Sequence, residues 1–150
     1  MQTGHADLKE THMETKFNSQ ICTTREQSER LIALGLKKET ADMHWWGIPF
    51  SDEWRLSDFP PFDDDDIPSW SLHRLMCMIP NVIKSERCLV NSFSYLMNIF
   101  ISTRGIAYYY EDYDGERIYQ FENFGNLMEA AVSAIEWLIK EGSFNKEYLV

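Results

Sequence analysis

His73 and Cys77 stand four residues apart, a spacing that places two side chains on one face of a helix. Imidazole with thiolate is a donor pair suited to zinc, but two donors do not complete a tetrahedral site. No second His/Cys pair follows at zinc-binding spacing, so the pair reads as a structural histidine beside a small buried cysteine. Asp63-Asp64-Asp65-Asp66 is the other dense donor set. Carboxylate oxygens suit Ca²⁺ or Mg²⁺, yet the run lacks the alternating D-x-D-x-D-G pattern of a calcium loop. A solvated run that favours the dipole of a following helix accounts for it. A hydrolase-like or metal-dependent enzyme would have to assemble His44, His73, Cys77 or Cys88 and a carboxylate of this run in one pocket. The chain has no nucleophile elbow, phosphate loop, G-x-G-x-x-G or H-E-x-x-H to support that reading. No catalytic residue, metal ligand or cofactor is assigned.

The charge balance excludes more. A formal charge of −10 over 150 residues opposes binding to phosphate backbones, which requires clustered Lys and Arg, and to anionic membrane surfaces. It suits solubility through self-repulsion and the approach of a basic protein partner. Tyr108, Tyr109 and Tyr110 suggest a base-stacking face, but they alternate across one strand and the RNP signature is absent. No apolar run approaches the roughly 20 residues of a membrane span. Met1 to Gln20 lacks a signal-peptide core, has no useful period, and is expected to be a disordered tail. Cys22, Cys77 and Cys88 are too few and scattered for a disulfide framework, which points to a cytoplasmic chain with free thiols. Residues 21–150 are read as a single α+β domain.

The elements follow from spacing. Asp114-Gly115 between aromatic-rich runs marks a hairpin turn. A two-residue turn there would set Asp112 against Arg117 and Tyr110 against Tyr119. Phe93, Tyr95, Met97, Ile99 and Ile101 alternate with Ser94, Leu96, Asn98, Phe100 and Ser102, so the first set faces a core. Val82–Lys84 or Cys88–Val90 would add a fourth strand. Leu127, Ala130, Ala131, Ala134, Ile135, Leu138 and Ile139 form one stripe of a closing helix, capped by Asn126 or Asn123 and ended by Gly142. Thr23–Glu26 or Thr24–Gln27 makes a capping box for a first helix, with Glu26 and Arg30 paired at i, i+4. A second helix spans Ser69 to Ile79, stopped by Pro80. The predicted fold is α+β: a three- or four-stranded antiparallel meander on a C-terminal amphipathic helix, with two N-terminal helices and a long aromatic and acidic loop.

That loop, about residues 44–66, combines aromatics, prolines and carboxylates without a clear helical or strand period. Long connections of this kind are functional or disordered, and so many rings argue for order. Trp45, Trp46, Phe50, Trp54, Phe59 and Phe62 are the candidate partner-binding residues, because large aromatics anchor interfaces. The alternative is a structural cover over one side of the core.

Three stretches carry a family resemblance. Thr24-Arg25-Glu26-Gln27-Ser28 leads to Leu34-Gly35-Leu36 and Thr40-Ala41-Asp42-Met43; Ile67-Pro68-Ser69-Trp70-Ser71-Leu72 ends at Pro80; and Glu129-Ala130-Ala131 leads to Trp137-Leu138. Over residues 23–142 the chain resembles a group of small uncharacterised proteins from gut bacteria, their phages and their mobile elements. The resemblance implies a cytoplasmic origin and carries over no functional residues. The functional expectation is a non-enzymatic protein-interaction or modulatory module of a bacterial mobile element or phage.

Overall fold

The computed structural model describes residues 20–61, 63–90 and 93–150, and of residues 85–90 and 93–95 the backbone alone. The expected N-terminal tail therefore lies outside the described residues, apart from Gln20. The fold is α+β, with two antiparallel sheets and a C-terminal helix.

Helix α1 (Arg25–Ala33) starts at a full capping box: the Thr24 hydroxyl accepts from Gln27 N–H, and the Gln27 side chain accepts from Thr24 N–H. Strands β1 (Met43–Gly47), β2 (Trp54–Ser57) and β3 (Ile67–Ser69) form a three-stranded sheet in the order β2-β1-β3. This corrects the expected long loop. Strands of five, four and three residues are too short to show a period, yet the Trp-rich runs pair well on a pleated surface. Pro68 is tolerated because β3 is an edge strand. Helix α2 (Leu72–Met78) follows in mid-chain, N-capped by the Ser71 hydroxyl.

The second sheet is a meander of β4 (Val82–Val90), β5 (Phe93–Ser102), β6 (Gly105–Glu111) and β7 (Arg117–Phe124), in that order. The two candidate fourth-strand segments belong to the single strand β4. Beyond an irregularity at Tyr108/Tyr109 the β6–β7 pairing keeps the expected register, with Tyr108 opposite Phe121. Next to the turn it differs by one residue: Glu111 opposes Arg117, Tyr110 opposes Ile118 and Tyr109 opposes Tyr119. The cause is a three-residue loop. Asp112 N–H donates to Glu116 O at 2.9 Å, and the Asp112 carboxylate accepts from the N–H groups of Asp114 and Glu116. Gly115 takes φ +79° there, the left-handed position of such a loop.

Helix α3 (Leu127–Lys140) lies against β6 and β7. The Asn126 side chain caps it, and Gly142 at φ +73° ends it. Ala130, Ala131 and Ala134 are fully buried, and these small side chains let the helix lie close to the sheet. Trp137 stacks between Tyr108 and Phe121, each ring centroid 5.4 Å away. Tyr108 is fully buried and donates its hydroxyl to Pro80 O; burial pushes that phenol well above its ordinary pKa. Ile83, Met97, Ile106, Leu75, Met78, Leu31 and Trp70 complete one shared core.

Arg30 corrects another expectation. Its guanidinium leaves Glu26 and makes a two-pronged pair with Glu136 at 2.8 Å per bond, with a third 2.8 Å bond to Glu129. These bonds join α1 to α3 and raise the Arg30 pKa. Burial pushes the Glu129 carboxyl up, but hydrogen bonds from Gln27, Arg30 and Ser133 outweigh it and hold the group below its usual value.

Candidate functional site

The candidate residues separate once β1 and β2 are folded. Trp45 is half-buried and donates its indole N–H to Thr23 O at 3.0 Å, so it pins the small sheet to the core. Trp46 is half-buried beside His44, Ser57, Asp63 and Asp66 in an open depression of about 300 Å³. Trp54 sits opposite Gly47, partly exposed, with the Arg25 guanidinium 4.7 Å from its ring centroid. Phe59 is 59 % exposed. Phe62 lies outside the described residues.

Phe50 stands apart. It is wholly exposed, at 109 % of the reference area, and its φ is +63°. It occupies the tip of the β1–β2 hairpin, where Ser51 N–H donates to Ile48 O at 3.2 Å and Ile48 N–H donates to Glu53 O at 3.0 Å. With Pro49 before it, Phe50 sits at the third position of a turn with type II character, where glycine is favoured. A left-handed conformation costs a residue with a side chain about 1–2 kcal/mol. Burial of the Phe50 ring contributes nothing to offset that cost.

The surroundings of this hairpin are acidic. Asp52, Glu53, Asp58, Asp63, Asp64 and Asp65 are exposed, against one exposed cation, Arg55, in the same segment. The Asp run is a turn: Asp66 N–H donates to Asp63 O at 3.2 Å, and the Asp66 carboxylate accepts from Asp63 N–H at 3.1 Å. It ends in β3, so the expected helix-capping role falls to Ser71 and Asp42 instead. The Asp42 carboxylate accepts from both the N–H and the hydroxyl of Ser71.

His44 and His73 do not meet at either of two surface depressions. His44 is buried; its Nδ1–H donates to Phe59 O at 2.6 Å, and its Nε2 lies 3.8 Å from the Asp66 carboxylate. His73 lines neither that depression nor the 370 Å³ one formed by Lys38, Glu39, Pro60, Pro61, Asp63 and Asp64. His73 instead faces Cys77, with Nε2 3.6 Å from Sγ. Cys77 is exposed, which corrects its reading as a buried residue, whereas Cys22 is buried and burial raises its thiol pKa. The Cys88 side chain is outside the described residues. Among the described residues no group of three or more His, Cys, Asp or Glu is placed to hold a metal ion.

A second aromatic surface went unread in the sequence. On the face of the meander away from α3, Val82, Leu96, Phe100, Tyr119 and Phe124 are exposed; Phe100 packs on Phe124, and Arg117 lies 4.6 Å over Tyr109. The period-two pattern of β5 did place Leu96 and Phe100 together on this face.

No protein-family model, curated protein or solved structure matches the chain. Among the described residues, no helix is long and apolar enough to cross a membrane.

Proposed function

We propose that this chain is a non-enzymatic protein-interaction module whose recognition element is the tip of the β1–β2 hairpin. One observation carries the reading: Phe50 is a large apolar side chain held wholly in solvent at a backbone position that favours glycine. Strain retained without a packing return is the mark of a functional position. Phe50 supplies the apolar anchor, Trp54 the flanking ring, and the surrounding carboxylates select a basic patch on a protein partner. Trp45 and Trp46 belong to the support of the hairpin. The resemblance over residues 23–142 supports a cytoplasmic accessory or modulatory factor of a bacterial mobile element or phage.

The test is affinity capture from native lysate with the wild-type chain, a Phe50→Ser, Trp54→Ala variant and a Phe100→Ser variant, each shown to be folded by circular dichroism. The expected result is a basic protein retained by wild type and by Phe100→Ser, released by salt, and lost by the hairpin variant. Equal capture by all three overturns the proposal. Loss in Phe100→Ser alone would move recognition to the open face of the meander.

A further inference from the structure

The helix that lies between the two sheets in chain order carries an exposed His–Cys pair whose side chains are within hydrogen-bond reach of each other. Leu75 and Met78 of α2 are buried and Leu72 and Met76 half-buried, which turns His73 and Cys77 outward together. Their Nε2 and Sγ atoms are 3.6 Å apart. With Zn–S about 2.3 Å and Zn–N about 2.05 Å, tetrahedral zinc separates its sulfur and nitrogen ligands by about 3.6 Å. The two donor atoms thus already stand at the spacing that one zinc ion requires.

We propose that His73 and Cys77 form half of a zinc site, completed by the same two residues of a second copy of this chain. His73 and Cys77 are both exposed, and two identical pairs supply the Cys₂His₂ set of a closed tetrahedral centre. Each thiol releases one proton as it binds, and the two thiolates neutralise the ion. No third donor from the same chain is required. Because each copy carries a formal charge of −10, the chains repel one another until the metal joins them, so association depends on zinc. This site is independent of the hairpin reading.

The experiment is a Co²⁺ titration of the full-length reduced chain, followed by displacement with Zn²⁺, read by absorption and by sedimentation velocity. The expected result is a thiolate-to-cobalt charge-transfer band with tetrahedral d–d bands. Both should saturate at one metal per two chains with a doubling of mass, and both should vanish on adding zinc. His73→Gln and Cys77→Ser, whose side chains are exposed and whose folding is checked by circular dichroism, should each lose the bands and the dimer. Cys88→Ser should retain both. Absence of the bands in wild type, their persistence in Cys77→Ser, their loss in Cys88→Ser, or saturation without a change in mass would each overturn the proposal.

Discussion

The two sheets of this molecule are held in different ways. The meander is an apolar object: α3 lays Ala130, Ala131, Ala134, Ile135 and Leu138 against it, and Trp137 fills the space between Tyr108 and Phe121. The three-stranded sheet buries far fewer apolar side chains and is held by polar pins. Thr23 is the hub. Its N–H donates to Trp70 O, its hydroxyl accepts from Trp70 N–H and pairs with Ser28 and Ser69, and its carbonyl accepts from Trp45 and Ser69. Trp70 is fully buried and donates its indole N–H to the Thr40 hydroxyl at 3.0 Å. Apolar burial tolerates small shifts because it is not directional, whereas a hydrogen-bond hub demands position. The second arrangement fixes the small sheet in one position against the core.

The comparison can be broken most forcefully from the apolar side. Ala134→Asp should cost about 4 kcal/mol by placing an unpaired charge under α3. An unchanged denaturation midpoint would refute that packing. Gly105→Ala comes next, at roughly 3 kcal/mol of overpacking. A Cβ there would stand 2.1 Å from Asn123 O and 2.6 Å from the Phe124 ring, so a midpoint near wild type would mean that β6 and β7 are farther apart.

Thr23→Val probes the polar side. It should cost about 2 kcal/mol by leaving Trp70 N–H without an acceptor, and amide exchange should rise first in β1 and β3. Uniform exchange across both sheets would show that the hub is not local to the small one. Gly115→Val should cost about 1.5 kcal/mol through its positive φ alone, since nothing lies within 4 Å of the site. The contrast with Gly105 separates backbone strain from crowding. Smallest of all, Phe50→Gly should leave stability unchanged or raise it by about 0.5 kcal/mol, because relief of left-handed strain offsets glycine's entropy. A clear loss of stability would show that Phe50 serves the fold, and would remove the ground for its proposed role.

What the sequence determined by itself is whatever rests on neighbours along the chain. The Asn126 cap, the Ala-rich stripe and Gly142 define α3 from residues adjacent along the chain, and a capping box starts α1. Alternation in β5 and the Asp-Gly pair define a meander, because a long strand repeats its pattern often enough to be read. Next to the turn the β6–β7 register is off by one residue because the Asp112 carboxylate closes a three-residue loop instead of a two-residue one; from Tyr108 back to Gly105 it is the expected one. Tertiary structure decided the rest. Much of residues 44–66 went into β1 and β2 of a sheet because the partners that fix that sheet are distant along the chain: Trp45 meets Thr23, Met43 pairs with Ser69, and Ser69 meets Thr23. Arg30 chose Glu136 and Glu129 across a helix interface over Glu26 on its own helix, since two-pronged geometry is stronger than an i, i+4 contact. Exposure, which distinguishes Phe50 from Trp45 and Cys77 from Cys22, depends on what packs alongside, and only the assembled fold decides that.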